Sequence, residues 1–217
     1  MPVIVLKVNA DSPDPESIRT AAEVIRRGEL VVFPTETVYG LAADALNEAA
    51  VRLVFEAKGR DQTRALPVQI AGVEQLSRVA SDIPAGALAL AARFWPGPLT
   101  LVLPKSDAVP DILTGGGKTI GVRVPDHPVA LALLRELDTP IVATSANVSG
   151  RGAPTSSGCA IRGFGNMISV VLDAGECRIG VPSTVVDLTV TPPEIIREGA
   201  IRREAIEVVV GECQTEG

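Results

Sequence analysis

Leu30-Val31-Val32-Phe33-Pro34-Thr35-Glu36-Thr37-Val38-Tyr39-Gly40 decides the fold, because four apolar residues run without interruption into a turn holding two hydroxyls, a carboxylate and a phenol. A continuous apolar run this short, stopped by a proline, reads as a buried strand. Open α/β sheets place ligands at such strand ends, so the polar turn is a candidate site. The plain alternative is that Thr35 or Thr37 only caps the turn.

Outward from this stretch the pattern alternates between strand and helix. Val3–Val8 is a short apolar run, and Pro15–Arg27 sets Ile18, Ala21, Ala22 and Ile25 at helical spacing before Gly28. Asn47 begins a helix with Val51, Val54 and Phe55 on one side, ending near Gly59. Leu66–Ile70 reads as extended, Val73–Val79 as a short helix, and Pro84–Phe94 as a helix stopped by Trp95-Pro96-Gly97-Pro98. Leu99–Leu103 and Thr119–Val124 read as strands, Pro128–Leu137 as an apolar helix, and Pro140–Thr144 as a strand running into Ser145-Ala146-Asn147. Ile168–Leu172, Thr184–Leu188, Glu194–Arg197 and Ala205–Val210 read as four further strands, which makes the second half strand-rich. The class is α/β in one unit over residues 1–217, without repeats. Ser149–Gly165, rich in Gly, Ser, Thr and Pro, is either a mobile loop over a site or a surface connection.

Composition narrows the chemistry. With 217 residues, 46% of them hydrophobic and 21% charged, the chain can bury a core without staples. Aromatics are only 3%, too few for a base-stacking platform of the usual kind. The single histidine, His127, excludes multi-histidine zinc centres. Cys159, Cys177 and Cys213 lack CxxC spacing and fit neither a disulfide framework nor a zinc ribbon, which points to a reducing compartment. No leader or long apolar span is evident, so a cytoplasmic protein without a membrane anchor is expected. The net charge of -6 argues against a nucleic-acid-binding surface overall but leaves room for a local basic pocket.

Polar clusters follow several strands. Lys58-Gly59-Arg60, with Arg64 four residues on, gathers three cations at a helix end, where the helix dipole alone would also favour them. Ala143-Thr144-Ser145-Ala146-Asn147 offers small residues that let a ligand approach the backbone, or that simply cap a turn. Arg123 and Arg197 end two other strands, and such arginines are also common in surface ion pairs. Two patterns fail. Gly115-Gly116-Gly117-Lys118-Thr119 imitates the end of a phosphate loop, but Ile112 stands where that pattern needs glycine and a strand follows. Cys177 and His127 make a poor nucleophile and base, with His127 better read as a cap or surface contact.

The runs PTETVYGL from Pro34, KGR from Lys58, WPGPLTLVL from Trp95, TIGVRVPDHP from Thr119, SANVSG from Ser145, PSTVVDL from Pro182 and IIREGAI from Ile195 occur in an order and spacing that resemble the YrdC/TsaC family of threonylcarbamoyl-AMP synthases. The resemblance covers Ser17–Ile201 and implies a twisted mixed open sheet with flanking helices and a concave basic cleft. The activity it implies is a nucleotidyl transfer: L-threonine, bicarbonate and ATP give L-threonylcarbamoyl-AMP, pyrophosphate and water, for N6-threonylcarbamoylation of adenosine 37 in tRNA.

On the same resemblance, Lys58 and Arg60 are the catalytic cations, and Lys58, Arg60, Arg64, Thr119, Ser145, Asn147, Ala153 and Arg197 face ATP. Thr35, Thr37, Gln69, Arg123, Ala143 and Ser183 face threonine, with Arg123 forked onto its carboxylate and Tyr39 close by. No metal is held by the protein itself; Mg2+ enters with ATP and bridges phosphates. The product passes to the tRNA threonylcarbamoyl-transfer machinery, with tRNA contact weak or indirect. The length implies the form without a further C-terminal domain. Two other readings use the same motifs: a non-catalytic RNA-binding or ribosome-assembly module, and the carbamoyl-adenylate domain of hydrogenase maturation, which normally accompanies zinc-binding cysteines absent here.

Overall fold

The computed structural model describes residues 3–215. Strands β1 (Ile4–Lys7), β2 (Leu30–Phe33), β3 (Gly40–Asp44), β4 (Val68–Gln69), β5 (Leu99–Pro104), β6 (Thr119–Arg123), β7 (Ile141–Ser145), β8 (Ile168–Asp173), β9 (Thr184–Asp187), β10 (Glu194–Arg197) and β11 (Gln214–Thr215) form one sheet. Their order is β1-β8-β2-β3-β7-β4-β6-β5-β9-β10-β11. Five neighbour pairs are parallel and five antiparallel, so the sheet is mixed as expected.

Helices α1 (Pro15–Arg26), α2 (Glu48–Lys58), α3 (Ala85–Phe94), α4 (Pro128–Leu137), α5 (Ser157–Ala160) and α6 (Arg203–Val210) flank it. The alternation of side chains along β2 shows why its sequence is apolar throughout. Val31 and Phe33 pack with α1 and α4, while Leu30 and Val32 join the larger core with α2 and α3. The helix signals are used as read. Asn47 caps α2 by accepting from the amides of Ala49 and Ala50, and Gly59 ends it in the left-handed region. His127 caps α4, its Nδ1 accepting from the Val129 amide at 3.2 Å.

Four local expectations change. Ala205–Val210 lies in α6, not in a strand. Its β-branched run suggested extension, but at helical spacing Ile206 is buried and Val210 packs against α3 beside Gly86, while Val208 is left 79% exposed. Strand β3 was not legible because glycine and alanine are poor strand formers. It forms because β2 and β7 pair with it on either side, and Gly40 is required there: a Cβ would stand 2.6 Å from the Phe33 ring. Val73–Arg78 is a 3-10 turn, and Ser149–Gly165 contains the short α5. The glycine run ends as read, with Gly115 at φ 62° closing the 3-10 turn Asp111–Thr114 and Thr119 opening β6.

Candidate functional site

A cleft of about 520 Å³ lies over one face of the sheet, floored by alternate residues of β5, β6 and β9 and walled by the turns after β2 and β7. Arg60, Arg123 and Arg197 line it with Thr35, Thr37, Thr100, Thr119, Ser145 and Ser183. The register brings distant residues together: Gln69 pairs with Arg123, Thr100 with Val185, and Val185 with Arg197. Three guanidinium groups thus gather in one cleft of a net-acidic chain.

One arm is built around the turn after β2. Thr35 Oγ1 donates to the Val38 carbonyl at 2.6 Å and accepts from the amides of Thr37 and Val38, so it does cap the turn. It also stands 2.9 Å from Thr37 Oγ1 and lines the cleft, so capping and exposure to ligand are combined in one residue. Arg123 is 7% exposed. Its Nε donates to the Gly97 carbonyl at 3.0 Å, Nη1 and Nη2 to Thr37 Oγ1 at 3.1 Å, and Nη2 to Glu36 Oε1 at 2.5 Å. The fork expected to face a ligand carboxylate is therefore turned onto Thr37 and Glu36, leaving one Nη1 N–H without a partner among the described residues. Beside it in register, Gln69 lines the cleft, and its Oε1 is buried and has no donor among the described residues. Ser183 completes this arm, its Oγ 2.9 Å from Thr100 Oγ1. Arg197 holds the Ser183 carbonyl from Nε at 3.1 Å and Nη2 at 2.8 Å. Burial and the nearby charge of Arg123 lower the pKa of Arg197, as expected where like charges converge.

The other arm is built on the end of α2 and the loop after β7. Arg60 lines the cleft, with Nε and Nη2 donating to the carbonyls of Arg64 and Ala65. Lys58 does not line it. That side chain is 2% exposed behind the wall, and Nζ donates to the carbonyls of Ser145 and, at 2.7 Å, Asn147. Burial first, then the charge of Arg60, brings its pKa down to about 8. Asn147 is likewise outside the cleft lining: Nδ2 donates to the Arg151 carbonyl at 2.6 Å, which ties the start of the long loop. That loop is also held where Tyr39 N donates to Pro154 O and Cys177 N to Thr155 O, both at 2.9 Å, and Ala153 lines the cleft from it. Arg64 stays outside.

Of the residues singled out in the sequence, Thr35, Thr37, Arg60, Gln69, Thr119, Arg123, Ala143, Ser145, Ala153, Ser183 and Arg197 meet in the cleft, whereas Lys58, Arg64 and Asn147 do not line it. Glu36 belongs to the candidate turn but has no role assigned from sequence, and Thr100 and Asp187 are not among the sequence candidates. A carboxylate within an apolar-flanked turn was the available signal for Glu36, which is 1% exposed; Thr100 and Asp187 look like ordinary strand residues until register places them.

The decoys stay decoys. Burial pushes the Cys177 thiol up to about 11 and lowers the pKa of His127, so neither supplies a thiolate or an imidazolium at neutral pH. Among the described residues no three His, Cys, Asp or Glu side chains gather as for a metal ion. Tyr39, fully buried, supports the site from behind: its hydroxyl donates to the Gly175 carbonyl at 2.7 Å and accepts from the Ala174 amide at 3.1 Å. Tyr39→Phe leaves both groups unpaired and should cost about 1–3 kcal/mol, read as a lower urea midpoint with an unchanged m-value.

The Sua5/YciO/YrdC family model, described as telomere recombination, matches residues 23–199. The threonylcarbamoyl-AMP synthase of Pyrococcus abyssi (strain GE5 / Orsay) is 54% identical over 197 residues, covering 91% of this chain and 58% of that protein. The threonylcarbamoyl-AMP synthase of Bacillus subtilis (strain 168) is 46% identical over 199 residues, with 91% and 57% covered. The chain therefore spans a little over half the length of these relatives. A crystal structure of P. abyssi Sua5 complexed with L-threonine superposes with a TM-score of 0.96 at 50% identity, over 99% of this chain and 63% of that one.

Proposed function

The chain belongs to the Sua5/YciO/YrdC family, and from that premise we propose that it forms L-threonylcarbamoyl-AMP from L-threonine, bicarbonate and ATP, releasing pyrophosphate and water. The observation that carries this reading is the convergence of Arg60, Arg123 and Arg197 with the hydroxyls of Thr35, Thr37 and Ser183 in one cleft. Its support from relatives is the likeness to two proteins named threonylcarbamoyl-AMP synthase and to a structure holding L-threonine.

The chemistry suits a site without a nucleophile. The threonine amine attacks the carbon of bicarbonate or of the CO2 derived from it, and water is lost. An oxygen of the resulting carbamate then attacks the α-phosphorus as the bond to the β-phosphate breaks. Positioning supplies most of the acceleration, since three reactants must meet in one geometry. Arg60 and Arg197 face the charge that grows on the departing pyrophosphate. The small residues around Ser145 let the phosphates approach the backbone, and Lys58 holds that backbone in place through two carbonyls. The remaining Arg123 N–H and the hydroxyls of Thr37 and Ser183 orient threonine, and Gln69 Oε1 offers an acceptor for the amine. Among the described residues a single carboxylate, Asp187, lines the cleft, too few for a protein cage, so a Mg2+ ion would be held by the phosphates and waters instead. The ion would supply charge neutralisation.

The product fits use by a tRNA N6-threonylcarbamoyl-transfer system in the cytoplasm; no described helix is long and apolar enough to cross a membrane. The test is pyrophosphate release by the purified protein with ATP and Mg2+. Release should require both threonine and bicarbonate and yield the acyl-adenylate by mass spectrometry. Release that ignores threonine, or tight salt-sensitive RNA binding without adenylate, would overturn the proposal.

A further inference from the structure

One end of the cleft differs in character from the arms that hold cations and hydroxyls. Its floor is made by Pro67, Val102, Gly121, Val185 and Ile196, and Ile196 remains 38% exposed. Val102 pairs with Gly121 on one side and Asp187 on the other. Gly121 keeps this floor level: a Cβ there would rise to 3.2 Å from Thr100 Cγ2 and 3.4 Å from Pro67 Cβ. Apolar, partly exposed side chains inside a charged cleft leave area to be covered, and a flat floor suits a planar ring.

Asp187 stands at the edge of that floor as the single carboxylate lining the cleft among the described residues. Its Oδ1 is occupied twice, by the amide and by the hydroxyl of Thr189, both at 2.7 Å. These bonds fix the carboxylate plane, and Oδ2 receives no hydrogen bond among the described residues. One oriented acceptor is thus presented beside an apolar floor.

We propose that Asp187 reads the nucleotide base, accepting a hydrogen bond from the exocyclic 6-amino group of adenine through Oδ2. The inference rests on the ATP reading above. Adenine carries its only base N–H donors on that amine, which matches one free acceptor. Guanine presents adjacent N–H groups at N1 and N2 and calls for two acceptors, one of which Thr189 has taken. A ribose diol also wants two. A Mg2+ ion keeps a shell of waters and fits poorly against Val102 and Val185. The negative charge of Asp187 repels phosphates, which sends the triphosphate toward Arg60 and the Ser145 loop and orients the nucleotide along the cleft. Because a group that loses its only partner is left unpaired, the preference for adenine arises as much from rejecting other bases as from holding the right one.

The experiment is calorimetric titration of the full chain with ATP, purine riboside 5′-triphosphate and 2′-deoxy-ATP, each with Mg2+, for the parent and for Asp187→Ala. Threonine binding serves as the control for a folded site. In the parent, removing the 6-amino group should weaken binding about tenfold or more, as for a hydrogen bond to a charged acceptor. In the variant, ATP should fall to the level of the analogue and the two should agree within about threefold, while the 2′-deoxy effect stays the same in both proteins. A gap between ATP and purine riboside triphosphate that survives Asp187→Ala overturns the inference. So does a variant whose loss vanishes when Mg2+ is omitted, or one that removes only the 2′-deoxy effect. If ATP fails to bind the parent while threonine binds, it is the ATP reading itself that falls.

Discussion

Replacing Lys58 by Met should lower adenylate formation about a hundredfold, a loss of ~2.7 kcal/mol at the transition state, although Lys58 Nζ does not line the cleft. Its ammonium group holds the carbonyls of Ser145 and Asn147, and methionine fills the same volume without reaching either. The loop that offers its backbone to the phosphates then loses its anchor, and two buried carbonyls go unpaired. Steady-state kinetics should show the loss in kcat as well as in KM for ATP, with threonine affinity little changed. Loss confined to KM for threonine would contradict this placement.

The same lysine carries a pH signature. Its folded pKa of about 8 lies below its ordinary 10.5, because burial penalises the charge. Below pH 8 the side chain is charged in both folded and unfolded chains, and the burial penalty is present in full. Between about pH 8 and 10.5 the unfolded chain binds more protons than the folded one, so the Lys58 contribution to stability rises with pH. The neutral amine still has two N–H groups for its two carbonyls. Denaturation at pH 7 and pH 9.5 should therefore show the parent gaining on Lys58→Met at the higher pH; a gap that narrows would refute the assignment.

Glu36→Ala should be the most damaging substitution for stability. Glu36 is 1% exposed, and its Oε1 pairs with Arg123, itself 7% exposed, so removal strands a buried guanidinium charge. Breaking a buried pair in this way costs about 3–5 kcal/mol. In a domain of this size that corresponds to a fall in Tm of at least about 6 °C. Threonine binding should weaken along with it, since Glu36 and Thr37 together aim Arg123. Glu36→Gln keeps an oxygen for Nη2 and should recover part of the threonine affinity. An alanine variant that melts within about 2 °C of the parent would show that Thr37 and the Gly97 carbonyl hold Arg123 without help.

The helices were legible where a cap and an apolar stripe agreed, as for Asn47 with Val51, Val54 and Phe55. Helix α6 was misread because Val208, Val209 and Val210 favour extension locally, and packing against α3 overrode that preference. The same limit applied to the site. Arg60, Arg123 and Arg197 stand out in a chain with few candidate groups, but what each one faces depends on partners remote in sequence. Glu36 and Arg123 are 87 residues apart, as are Lys58 and Ser145.

By itself the sequence determined the α/β class, the strand at Leu30–Phe33 with its polar end, and the set of cations and hydroxyls from which a site must be built. These depend on local periodicity, on caps and on which side chains exist at all. Only the tertiary structure decided how those side chains are used. Strand register laid Asp187 beside Val102, with Gly121 on the far side of that valine, burial drew Lys58 behind the wall to hold backbone, and Glu36 turned the Arg123 fork inward. Such roles follow from desolvation and from long-range pairing, and neither is encoded within any short stretch of chain.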